Sequence, residues 1–188
     1  GVVRGIFSAA KELNSVVIVE LAKSECNLDG GYTGLTPATF SRKVKEIAEE
    51  LEFRHWVLHA DHTTIKKGTE DEISSVKALL DEQIRNGYTS FAIDASFLFN
   101  EEGKTTEEEL ARNIEVTAHL AKYIKEKHPT PDLFGLEDEV GEVGKKDEHG
   151  MVVTTVDEAT TYIKALKERD VHPNLLAIAN GSTHGNIY

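Results

Sequence analysis

The chain has 188 residues, 39% hydrophobic and 29% charged, a composition that suits one globular domain and excludes disordered and fibrous classes. Its 33 acidic side chains outnumber 21 basic ones, for a formal charge of −12, so its average field repels phosphate backbones and anionic membranes, and neither is expected as a partner. Cys26, the single cysteine, allows no intrachain disulfide, and with no signal-peptide pattern or apolar run of membrane-spanning length the chain reads as cytoplasmic.

The first residues, to about Leu13, read as a helix whose preceding strand would lie upstream of Gly1. The β-branched run 16–20 (VVIVE) reads as a strand. A helix follows Thr36, with Pro37 in its first turn and Phe40, Val44, Ile47, Ala48 and Leu51 on its apolar face. Strands at 55–60, 89–94, 133–137 and 175–180 alternate with helices marked by Ile73, Val76, Leu80 and Ile84, by Leu110, Ile114, Ala118, Ala121 and Ile124, and by Tyr162, Ile163 and Leu166. Capping-box patterns at Thr69 with Glu72, Thr106 with Glu109 and Thr155 with Glu158 mark three helix starts. The glycine-punctuated stretch 141–150 (GEVGKKDEHG) reads as a mobile loop. Such alternation implies right-handed βαβ units and an α/β fold, either an open doubly wound sheet or part of an eight-stranded barrel.

Each predicted strand is followed by polar or titratable groups: Glu20; His59, Asp61 and His62; Asp94; Glu137 and Glu139; Asn180 and His184. Both architectures bind ligands at that edge, so these groups are expected to converge. Structural readings stand beside this one. His59 fits a hydrogen-bonded histidine beneath the site, Asp61 and His62 a solvated turn, residues 137–139 an acidic loop, and residues 181–185 a flexible turn. Two imidazoles among carboxylates suit Zn²⁺ or another divalent ion, which in a catalytic site has three protein ligands and an open position.

The stretch His59-Ala60-Asp61-His62 resembles the His-x-Asp-His motif of class II, metal-dependent fructose-bisphosphate and tagatose-bisphosphate aldolases, and residues 181–185 (GSTHG) resemble their later Gly-x-x-His-Gly. Residues 89–96 (TSFAIDAS) and 136–144 (LEDEVGEVG) are similar to strand ends lying between those motifs. The resemblance implies a (β/α)8 TIM barrel, with residues 1–188 a single barrel domain covering roughly strands 2 to 6 and incomplete at both ends. It implies His62 and His184 as zinc ligands, Glu139 and Asp94 as alternative ligands or supports, and Gly185 beside a substrate phosphate, with Asn180 near it.

The implied activity is reversible cleavage of a ketose 1,6-bisphosphate, foremost fructose 1,6-bisphosphate, to dihydroxyacetone phosphate and glyceraldehyde 3-phosphate. Asp61 would handle the C4 hydroxyl proton, zinc would act as Lewis acid, and a loop carboxylate would protonate the carbanion. Where the family has Gly-Gly-Glu, this chain reads Gly144-Lys145-Lys146-Asp147-Glu148, leaving Asp147 and Glu148 as candidates for that carboxylate. The family forms dimers or tetramers, so a homo-oligomer is expected. Residues 30–40 (GGYTGLTPATF) resemble a segment of the companion subunit of tagatose-bisphosphate aldolases, which implies the alternative of a non-catalytic, partner-stabilising subunit.

Overall fold

The computed structural model describes residues 2–141, 146–147 and 150–182, with residues 146, 147 and 150 as backbone only. Five parallel strands, β1 (Val17–Ala22), β2 (Trp56–Thr64), β3 (Ser90–Asp94), β4 (Gly135–Val140) and β7 (Leu175–Ile178), pair in chain order. A short antiparallel pair, β5 (Lys146–Asp147) and β6 (Gly150–Met151), lies within the stretch expected as a mobile loop. Helix α1 (Val2–Glu12) precedes β1, and α2 (Pro37–Glu50), α3 (Glu70–Arg85), α4 (Thr106–Lys127) and α5 (Val156–Glu168) make the crossovers. A doubly wound sheet reverses its strand order at a switch point. Here the order never reverses, so right-handed crossovers keep the helices on one face and the sheet curls into half a barrel.

Strand alternation divides the residues between the two faces. Val19, Leu58, Ala60, Phe91, Ile93 and Leu136 are buried in the core with Phe40, Val44, Val76, Leu80, Ile114, Tyr162 and Leu166 of the helices. Each large side chain fully buried in this way contributes about 2 kcal/mol. The concave face is polar: Glu20, His59 and Ser90 share one row across β1, β2 and β3.

The helix starts follow from local hydrogen bonds. Thr36 and Thr39 form a reciprocal capping box with Pro37 at the first position of α2, and Thr155 and Glu158 do the same for α5. Two expectations are corrected. Thr105, not Thr106, caps α4 by accepting the Glu108 amide, while Thr106 donates its hydroxyl to Asp157 of α5. Thr69 caps α3, but the Glu72 carboxylate accepts the amides of Lys66, Lys67 and Gly68 and so closes the whole β2–α3 turn.

One core group conflicts with its surroundings. Asp138 alternates with Glu137 and Glu139 along β4 and faces the helix layer, fully buried, and neither carboxyl oxygen finds a hydrogen-bond partner among the described residues. Burial, reinforced by Glu137, pushes it up to about 8. The folded state therefore keeps a proton that the unfolded chain loses near the ordinary value of 3.8, so stability falls as pH rises across that window. Asp138→Asn is expected to stabilise the protein more at pH 8 than near pH 4, read from urea midpoints at both ends of this window. An equal gain at both would contradict this origin.

Candidate metal centre

Three side chains from successive strand ends meet at the C-terminal edge: His62 from β2, Asp94 from β3 and Glu139 from β4. Their meeting depends on an irregularity in β2. Ala60 pairs with Phe91 and Thr63 with Ile93, so three steps along β2 match two along β3. This is a β-bulge, and His62 in it takes φ +39. That left-handed conformation costs roughly 1–2 kcal/mol in a non-glycine residue, with histidine among the side chains more often found there. In a regular strand, Asp61 and His62 would point to opposite faces. With the extra residue both line the same cavity, and Thr63 resumes the buried, helix-facing role.

His62 Nδ1 lies 3.3 Å from Asp94 Oδ2 and 3.3 Å from Glu139 Oε2. A tetrahedral zinc with bonds of roughly 2.1 Å has ligand-to-ligand edges of about 3.4 Å, so this spacing fits such an ion. The two carboxylates are held from behind. Asp94 Oδ1 accepts from the Ser96 hydroxyl at 2.7 Å and its amide at 3.2 Å, which turns Oδ2 to the imidazole. Asn113 of α4 donates Nδ2 to the Glu139 carbonyl at 3.1 Å, and its Oδ1 lies 3.0 Å from the Thr117 hydroxyl and 3.2 Å from that of Tyr162 in α5. These three residues are buried and tie the β4 end to two helices.

The cluster crowds two carboxylates against one imidazole. The Asp94 hydrogen bond raises His62 to about 9, ahead of opposing burial, with Glu139 and Asp61 adding to the rise. Burial raises Glu139 to about 8, with the neighbouring Asp94 charge reinforcing it. Burial also opposes ionisation of Asp94, but its bonds to His62 and Ser96 outweigh this and hold it below the usual carboxylate value. A divalent cation would take the place of the protons on His62 and Glu139 and relieve the like-charge crowding.

The remaining expected residues fall as follows. Asp61 lines the cavity beside His62. His59 is buried one turn of the pleat below, with Nδ1 2.7 Å from Ser90 Oγ and Nε2 3.7 Å from Glu137, and burial lowers its pKa. The structural reading of His59 holds. Glu20 lies on the concave face below the end of β1, because that strand runs on to Ala22; burial raises its pKa, helped by Asp61. Asn180 is exposed, and its Oδ1 accepts the Ser182 amide in the turn after β7. His184, Gly185 and Glu148 lie outside the described residues, as does the side chain of Asp147.

The cavity above the cluster has a volume of about 690 Å³ and is also lined by Lys23, Ser24, Asn27, Tyr32, Lys66, Glu72 and Phe97. That size suits a small metabolite. Sequence reasoning missed Lys23, because ending β1 at Glu20 hid a strand-end position. The signal was the continued apolar pair Leu21 and Ala22 before the lysine.

A family model described as fructose-bisphosphate aldolase class-II matches residues 1–188. No curated protein matches the chain significantly. Among solved structures, that of a probable tagatose 6 phosphate kinase from Sinorhizobium meliloti 1021 superposes on 100% of this chain and 48% of its own, with a TM-score of 0.69 and 22% identity. The chain thus spans about half the length of that relative, and the likeness bears on fold alone.

Cation binding must displace protons from His62 and Glu139. With those groups raised to about 9 and about 8, zinc affinity is expected to rise with pH up to that range. Calorimetry in buffers of different ionisation enthalpy should register up to about two protons released per zinc near neutral pH, one from each group. Affinity independent of pH would contradict the assignment.

Proposed function

The chain belongs to the class-II fructose-bisphosphate aldolase family, and on that premise we propose that it is a zinc-dependent aldolase acting on a ketose 1,6-bisphosphate, foremost fructose 1,6-bisphosphate. The observation that carries this reading is the convergence of His62, Asp94, Glu139 and Asp61 on one cavity at the C-terminal strand edge. We propose further that the half-barrel is part of a closed (β/α)8 barrel. Exposed Val16 and Ile18 at the β1 edge and Leu175 and Ile178 in β7 support this, since added strands would cover them.

In this reading His62, with Asp94, Glu139 and the family-matched His184, holds the metal. A bound divalent cation supplies Lewis-acid polarisation of the ketose oxygens. Asp61 takes the proton of the C4 hydroxyl as the C3–C4 bond breaks and returns it in the condensation direction. Its place beside His62, with its strand fixed by the Lys23 amide donating to the Asp61 carbonyl at 3.2 Å, keeps that carboxylate within the metal's surroundings. Asp147 or Glu148 would carry the proton exchanged at C3. Dihydroxyacetone phosphate and glyceraldehyde 3-phosphate are the products.

The likeness of residues 30–40 to a companion subunit favours a second reading, that of a non-catalytic partner of a tagatose-bisphosphate aldolase. The strained His62 argues against it, because a supporting role requires no metal set held in left-handed backbone.

Fructose 1,6-bisphosphate cleavage should vanish in EDTA and return with zinc. Asp61→Ala should keep its zinc while turnover falls by on the order of 100-fold or more. Undiminished turnover in that variant would remove Asp61 from the reaction. A zinc-loaded parent inert toward ketose bisphosphates would favour the companion reading.

A further inference from the structure

Lys23 is a half-buried ammonium in a cavity otherwise rich in carboxylates. Ala22 pairs with Asp61, so Lys23 comes level with His62 on the adjacent strand, roughly 5 Å across. Its Nζ donates to the Thr64 carbonyl at 2.5 Å, which lays the side chain across the end of β2. An ammonium has three donors, so two remain. Burial lowers the Lys23 pKa, against the fields of Glu72 and Asp94. Among the described residues no carboxylate forms an ion pair with it, and Glu72 has both oxygens on the amides of residues 66–68. Lys66 lines the same cavity, its Nζ 5.2 Å from the Phe97 ring centre, and its charge acts on Lys23. Two ammonium groups thus share a cavity where Glu25, Asp61, Glu72, Asp94 and Glu139 otherwise set the charge.

We infer that Lys23, assisted by Lys66, is the point at which the cavity takes the anionic end group, a phosphate or a sulfonate, of its substrate. This rests on reading the cavity as the aldolase substrate site. A protein of charge −12 repels anions on average, so an anionic substrate needs local cations, and a partly desolvated ammonium with free donors binds such a group more strongly than one in water. Lys23 lines the same cavity as Asp61 and His62, so the anion it holds is an end group of the molecule that those two residues meet. Both tetrahedral XO₃ groups fit two ammonium donors. Their difference in charge separates them by affinity.

Calorimetric titration of the zinc-loaded full chain with inorganic phosphate and with methanesulfonate tests this directly. Parent protein should bind at least one of them, with phosphate the tighter if the natural end group is a phosphate and methanesulfonate the tighter if it is a sulfonate. Lys23→Gln should weaken binding by about ten-fold or more, as expected for a lost charge-assisted bond, and Lys23→Arg should restore much of it. Lys66→Gln should weaken it less, and Lys67→Gln, outside the cavity, should leave it unchanged. Parent-like affinity in Lys23→Gln with intact zinc content overturns the inference, as does absence of binding in the parent. If Lys23→Gln melts early, Lys66→Gln decides, with unchanged affinity counting against the site. Lys23-dependent phosphate binding in a protein without aldolase activity would reject the aldolase reading while keeping the anion site at Lys23. With activity, Lys23→Gln should raise KM for the bisphosphate far more than it lowers kcat.

Discussion

One extra residue in β2 governs the site. The pleat sends neighbouring side chains to opposite faces, so a strand cannot ordinarily offer Asp and His in sequence to one ligand. The bulge between Ala60 and Thr63 removes that restriction, and His62 bears the left-handed backbone that results. Flanking residues hold the strain in place. Ala60 and Thr63 are fully buried on the helix side, and Ile65 continues the core, so relaxing His62 would expel side chains worth more than the strain. A carboxylate and an imidazole are thereby fixed next to one another on rigid structure rather than on a loop.

The second constraint is charge. β4 presents Glu137 and Glu139 to the concave face and β3 presents Asp94, and among the described residues His62, His59 and the cavity's lysines stand opposite them. Such crowding is unfavourable by itself and would become favourable beside a dication, so the carboxylates that cost stability would give affinity for such an ion. The buried Asn113, Thr117 and Tyr162 network matters here, because it fixes the β4 end from the helix side and prevents Glu139 from retreating into solvent.

Much of this was legible in the sequence. The five strands, the five helices and the convergence of Asp61, His62, Asp94 and Glu139 follow from periodicity and from the rule that parallel strands carry their chemistry at the C-terminal ends. What was not legible depends on neighbours. A bulge is a relation between two strands, and nothing in His59-Ala60-Asp61-His62 alone separates it from regular alternation. Residues 137–139 read either as a strand end facing the site or as an acidic loop; they lie in β4, with the middle member buried against the helices and the outer members on the concave face, a split that strand geometry creates. Barrel-like and doubly wound sheets have the same local patterns, and strand order separated them. Thr105 replaced Thr106 as cap because Asp157, distant in sequence, takes the second hydroxyl.

If the bulge delivers His62 to a divalent cation shared with Asp94 and Glu139, anomalous diffraction from a crystal of the zinc-loaded full-length protein should show a zinc peak roughly 2.0–2.2 Å from His62 Nδ1, with at least one oxygen of Asp94 or Glu139 also in coordination range. Zinc bound elsewhere, or His62 turned away from it, would mean that the bulge serves another purpose.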